Sequence, residues 1–158
     1  MLLGKKRKLG RRIEEINKGE KLTLTEKMED KDLLLYLGLT NDANPLYVQH
    51  DYASQTTYEK PIVPPIMLTG IITSAISKYL PGPGSYIVKQ DIDFINPVYH
   101  YDTIQFLFEV IDVNMGNNMI QISVRAVNEN EDTTVQALIS VCPPQKLKEI
   151  DGKELENF

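Results

Sequence analysis

Hydrophobic and polar positions alternate with a period of two over most of the second half of the chain. Ile104, Phe106, Phe108 and Val110 fall on one side of the segment Thr103–Val113, and Ile120, Ile122, Val124 and Ala126 on one side of the next. Such alternation is the mark of a strand with one covered face. The intervening Asn114-Met115-Gly116-Asn117-Asn118 is turn chemistry, so the two strands are predicted to form a hairpin. A turn at Asn128–Asp132 and a last strand through Val135, Ala137, Ile139 and Val141 follow, ending at Pro143-Pro144. Upstream, Tyr86–Val98 reads as a strand with Val88, Gln90, Ile92 and Phe94 on one face and Lys89, Asp91 and Asp93 on the other, stopped by Pro97.

The first half has a different rhythm. Lys21-Leu22-Thr23-Leu24-Thr25 alternates as a short strand, and a helix is predicted next. Its start is marked by Glu29-Asp30, its apolar side by Leu33, Leu34, Leu35 and Leu37, and its stop by Gly38. Thr40–Pro45 is dense in residues that hydrogen-bond their own backbone and predicts a tight loop, followed by a short helix over Asp51–Thr57. From Ile66 to Leu80 the run IMLTGIITSAISKYL is apolar on nearly every side, as in a helix enclosed by other structure, and Pro81-Gly82-Pro83-Gly84 ends it. An antiparallel sheet needs one face covered and an apolar helix needs enclosing, so each meets the other's requirement. The expected class is α+β, a long central helix wrapped by an antiparallel sheet.

Composition narrows this picture. With 158 residues, 42% apolar and 25% charged, the chain has the length and balance of one globular domain. The expected division is a basic arm over 1–19, the domain over 20–145 and a tail over 146–158. Net charge is −5, but Lys5, Lys6, Arg7, Lys8, Arg11 and Arg12 contribute six positives, which leaves −11 on the remainder. A basic arm can meet nucleic acid, acidic lipid or ligand phosphates, or simply be solvated. The basic stretch runs into Arg11-Arg12-Ile13-Glu14-Glu15 rather than an apolar stretch, so no export signal is expected. The uncharged run Pro61–Ser77 is too short for a membrane span. The single cysteine, Cys142, has no intrachain partner, and a cytoplasmic location is the expectation.

Candidate chemistry sits in the loop. Asn41-Asp42-Ala43-Asn44-Pro45-Leu46-Tyr47, followed by Asp51-Tyr52-Ala53, resembles the G-D-x-N-P-x-H motif of the MaoC-like, (R)-specific enoyl-CoA hydratase family. Taken alone, Asp42-Ala43-Asn44-Pro45 would be no more than an Asx-type turn; its weight comes from the segments that follow in the family's order. Pro61-Ile62-Val63-Pro64-Pro65-Ile66-Met67-Leu68-Thr69-Gly70 stands where the family has P-I-(A/V)-H-G-M-L-x-x-S. Leu80–Ser85 and Phe94–Val98 are similar to its L-P-G-x-G and F-x-x-P-V segments. The resemblance spans roughly residues 20 to 142 and implies the hot-dog fold.

It further implies dimerisation and an acyl thioester of coenzyme A or acyl carrier protein as ligand, with no separate cofactor and no metal. The implied reaction, from fatty-acid-type metabolism, is addition of water to a trans-2-enoyl thioester or its reverse, that of a hydro-lyase. It needs a base for the water, an acid for C2 and donors for the thioester oxygen. Carried over by residue, Asp42 is the base, Asn44 shapes its loop, and Pro64, Pro65, Ile66 and Gly70 border the substrate.

Three positions depart from the pattern. The motif's His is Tyr47, a phenol with a reference pKa of about 10 against about 6.5 for imidazole, which leaves it a proton donor at most. The Gly whose N–H would face the thioester oxygen is Pro65, which has no N–H. The helix Ser is Gly70. Loss of one oxyanion donor typically costs about 10² to 10³ in rate, and loss of an acid or base about 10² to 10⁴. His50, three residues after Tyr47, is a further candidate for the missing role. His100 is expected to be structural.

Four readings therefore stand: a hydratase or dehydratase with reduced or altered activity, a non-catalytic acyl-CoA-binding or regulatory protein, a non-catalytic subunit of a hot-dog heteromer, and a thioesterase, which the motif order fits less well. Nucleic acid is not expected as a partner, because about twenty residues before the first strand are too few for a helix-turn-helix.

Overall fold

Five strands form one antiparallel sheet: β1 (Lys21–Lys27), β2 (Tyr86–Phe94), β3 (Thr103–Asn114), β4 (Met119–Val127) and β5 (Thr133–Cys142), in the spatial order β1-β3-β4-β5-β2. The computed structural model describes residues 8–147, so Lys5, Lys6 and Arg7 of the basic arm, and the tail from residue 148, lie outside the described residues. The helices are α1 (Asp30–Thr40), α2 (Pro45–Val48), α3 (His50–Ala53) and α4 (Pro65–Lys78). No helix of the described residues is long and apolar enough to cross a membrane.

The alternation along β3 and β4 translates directly into burial. Ile104, Phe106, Phe108 and Val110, with Ile120, Ile122, Val124 and Ala126, are all buried on one face, and Val135, Ile139 and Val141 of β5 extend it. Against this face lie Leu68, Ile72, Ala75 and Ile76 of α4, spaced as one stripe of a helix. Gln90 on β2 donates its amide to Thr73 Oγ1 at 3.0 Å, a polar tie between the helix and that end of the sheet.

Four sequence expectations are corrected. The α4 helix is not enclosed on all sides: the sheet covers one stripe, whereas Ile66 is 54% exposed and Gly70 is open, because five strands reach around only part of the helix. On β2 the inward position is Ile87 rather than Val88, since a register shift against β5 between Ile87 and Lys89 turns Val88 outward to 46% exposure. Helix α1 runs through Gly38 to Thr40 and is closed by Asn41 in the left-handed region, φ 56°, whose N–H reaches Leu37 O at 2.8 Å. The helix expected over Asp51–Thr57 is the single turn α3, because only Ala53 of that stretch has a buried face to hold it.

Residues 10–16, which fall within the expected arm, pack onto the domain. Gly10 N–H and Arg11 N–H donate to Pro83 O and Pro81 O at 2.8 and 2.9 Å, strapping residues 10–11 across the turn that ends α4. A side chain at Gly10 would run into the Pro81 carbonyl, which is why glycine stands there. Arg11 pairs with Glu20 at 2.5 Å, and Ile13 and Ile16 join the core.

If this stripe carries the fold, Ile72→Ala should lower unfolding free energy by about 2 to 5 kcal/mol in a denaturant titration, the range for a fully buried aliphatic side chain. Leu39→Ala, at a position 87% exposed, should change it by less than about 0.5 kcal/mol.

Candidate active site

The loop between α1 and α2 is built by its own short polar side chains. Thr40 Oγ1 donates to Tyr36 O at 2.8 Å and accepts Asp42 N–H at 3.2 Å. Asp42 Oδ1 accepts Asn44 N–H at 3.3 Å, and Asn44 Oδ1 accepts Leu46 N–H at 3.0 Å, capping α2. Pro45 occupies the first helical position, where no N–H is required. The loop is tied to the entrance of α4 through the backbone: Ile62 N–H donates to Leu46 O at 2.9 Å, and Val63 N–H to Val98 O at 2.7 Å. Those two bonds bring the Asp42 loop to the segment from which α4 begins.

Within the loop, Asp42 Oδ2 accepts the Tyr36 hydroxyl at 2.5 Å. The Tyr47 ring meets Tyr36 edge-on, with centroids 6.4 Å apart and planes at 74°. The hydrogen bond to the Asp42 carboxylate is the main reason the Tyr36 phenol is pushed above the ordinary tyrosine value of 10.0. Tyr47 is pushed up chiefly by burial and next by the Asp42 charge, with Asn44 pulling the other way. Both phenols therefore hold their protons through neutral pH and beyond the point where a free tyrosine would release its own.

The structure brings Asp42, Asn44 and Tyr47 together, and adds Tyr36, which sequence reasoning missed. The signal available was that Tyr36 is the one residue with a polar tip inside the leucine run of α1, six positions before Asp42. His50 is exposed at the start of α3, and none of the hydrogen bonds of the described residues joins its side chain to Asp42 or Tyr47. Both ring nitrogens of His100 are buried without a hydrogen-bond partner among the described residues.

Pro64 is buried at the cap of α4, with Pro65 as its first residue. Neither has an N–H, so the first one that this helix offers belongs to Ile66. Gly70 borders an open groove of about 340 Å³ between β1, α1 and α4, lined by apolar side chains such as Leu24, Met67 and Ile71 together with the charged Glu26, Asp32 and Lys78. Asp42, Tyr47, Pro64, Pro65 and Ile66 are not among the residues lining that groove, so in the single chain the carboxylate stands apart from it.

What the cluster can do is accept a proton at Asp42 Oδ1, whose one hydrogen bond is long, and donate hydrogen bonds from two phenols. Among the described residues no three His, Cys, Asp or Glu side chains gather as metal ligands would.

Comparison with known proteins agrees with this architecture. The chain is 34% identical over 92 residues to an (R)-specific enoyl-CoA hydratase of Rhodospirillum rubrum, a stretch that covers 58% of this chain and 64% of that enzyme, just under two thirds of its length. It is 29% identical to the (R)-specific enoyl-CoA hydratase of Aeromonas caviae over 58% of this chain and 69% of that one. Among solved structures, the R-hydratase PhaJ1 of Pseudomonas aeruginosa superimposes with a TM-score of 0.78 at 24% identity, covering 90% of this chain and 94% of the other, which establishes the shared hot-dog fold. The model of the MaoC-like domain matches residues 12–132, more than half of the sequence, and the chain belongs to that family.

Proposed function

We propose that the protein is a hydratase or dehydratase acting on 2-enoyl and (3R)-hydroxyacyl thioesters, of coenzyme A or acyl carrier protein, with activity reduced or altered by its substituted site. The observation that carries this reading is the Asp42 carboxylate, fixed by Tyr36 on one oxygen and open to a further donor on the other. In the hydration direction Asp42 Oδ1 takes a proton from water as the water oxygen bonds to C3. Tyr47 delivers a proton to C2 and takes back the one held by Asp42, so both groups are restored and the elements of one water are added across the double bond. In this reading Asn44 holds the loop in shape and Tyr47 is the candidate proton donor. Pro64, Pro65, Ile66 and Gly70 border the thioester and its acyl chain, and the Ile66 N–H is the first that α4 offers toward the thioester oxygen.

A homo-oligomer forms part of the same reading. Strand β2 is an edge of the sheet and exposes Tyr86, Val88 and Phe94 along it, a surface suited to a second copy. A second copy seated there would also lie alongside the partly open α4 helix.

With crotonyl-CoA and longer 2-enoyl-CoA substrates, the decay of enoyl absorbance should exceed the uncatalysed rate, and Asp42→Asn should reduce kcat by about 10² to 10⁴. No turnover at high protein concentration would overturn the enzymatic reading, and saturable acyl-CoA binding in calorimetry without product would favour a binding role in its place. In sedimentation velocity the chain should run as a species of at least twice 18.0 kDa, and a monomer at micromolar concentration would refute the oligomer.

A further inference from the structure

Once the hydratase reading is granted, the site still lacks an answer to one physical question. A carboxylate acting as base must present one oxygen to the water at a fixed angle, and a carboxylate on a surface loop turns about its terminal torsion. The side chain at position 47 does not restrain it, because Tyr47 packs edge-on against Tyr36 and no hydrogen bond joins its hydroxyl to Asp42 among the described residues. The restraint comes from the helix before the loop.

We infer that Tyr36 is the positioning residue of this site: its hydroxyl, bonded to Asp42 Oδ2, fixes the plane of the carboxylate so that Oδ1 is the oxygen presented to the substrate water. Three observations carry the inference. The contact of 2.5 Å is at the short end for a hydroxyl donating to an ionised carboxylate, the stronger class of hydrogen bond. The same residue also holds the loop backbone, since Tyr36 O accepts Thr40 Oγ1 and that oxygen accepts Asp42 N–H, so both ends of Asp42 are referred to one turn of α1. Finally, the two oxygens of Asp42 are unequal: Oδ2 is held by a strong donor, and Oδ1 has only the 3.3 Å bond from Asn44 N–H. Tyr36 directs its hydrogen at Asp42 and not at carbon, so its part is to orient the base, while the proton for C2 comes from elsewhere.

The inference rests on the hydratase reading, and the experiment separates the two. Tyr36→Phe keeps the ring and its packing against Tyr47 and removes the hydroxyl alone. Tyr101→Phe is the control, because it deletes a bond of the same kind, from the Tyr101 hydroxyl to the Asp30 carboxylate at the other end of α1. With crotonyl-CoA, kcat of Tyr36→Phe should fall about 10²-fold with KM within about twofold, and Tyr101→Phe should leave both unchanged. A wild-type kcat in Tyr36→Phe, or a loss confined to KM, would overturn the positioning role while the hydratase reading stands. Absence of turnover in the wild-type chain would remove that reading, and the inference with it.

A second measurement does not depend on Tyr36→Phe folding. In wild-type protein carrying ¹³C-labelled tyrosine, the Tyr36 resonance should titrate above the ordinary value of 10.0, because ionising the phenol would set two negative charges side by side. In Asp42→Asn it should move back toward that value. An ordinary titration of Tyr36 in the wild-type protein would break the pair and overturn the inference.

Discussion

The arrangement depends on one packing relationship, that of the stripe Leu68, Ile72, Ala75 and Ile76 on α4 against the inward side chains of β3, β4 and β5. Neither partner is stable without the other. The sheet has one apolar face that water would meet unfavourably, and α4 has more apolar surface than any exposed helix would carry. With the helix pinned, its leading end becomes a fixed point. The segment Ile62–Pro65 must pass along the edge of the sheet to reach it, and the bonds Val63 to Val98 and Ile62 to Leu46 fasten first that segment and then α2 to the scaffold. The position of Asp42 is therefore a consequence of core packing, transmitted through two backbone hydrogen bonds.

How much of this was readable depends on whether local chemistry or distant pairing decides a position. The hairpin of β3 and β4 was legible because its alternation runs unbroken from Ile104 to Val110 and from Ile120 to Ala126, and its turn is rich in Asn and Gly. On β2 the same reasoning placed Val88 inward, and the register shift reversed it; that shift comes from pairing with β5, some fifty residues away, and leaves no mark in β2 itself. The end of α1 failed in a similar way. Gly38 is the residue that most readily ends a helix, yet Asn41 does so, because Thr40 and Asp42 supply the hydrogen bonds that the turn needs.

The candidate site divides along the same line. Asp42, Asn44 and Tyr47 lie within six consecutive residues, and the capping chemistry of Asn44-Pro45 folds that stretch on itself whatever the rest of the chain does. Tyr36 is just as close in sequence but was not singled out within the leucine run of α1. Its contact with Asp42 exists only because the chain reverses at Asn41 in a left-handed conformation, which swings the carboxylate back along the side of α1. Gly70 was placed at the substrate from motif order, and it does border a groove. That groove lies between β1, α1 and α4, the last distant from the other two in sequence, and no motif encodes it.

A phenol beside a carboxylate is a different instrument from an imidazole beside one. Imidazole changes charge near neutral pH and can both give and receive a proton there. The Tyr36 phenol is driven in the opposite direction by its partner, since the negative carboxylate makes its ionisation harder, so at neutral pH it keeps its proton. Tyr47, raised by burial and by the same charge, is held in the same state. Neither phenol of the site changes charge close to neutrality. Under the proposed function the proton for C2 comes from Tyr47, a phenol that burial and the Asp42 charge hold in its protonated form. The state of both phenols thus follows from burial and charge within the loop, on a hot-dog scaffold shared with the family.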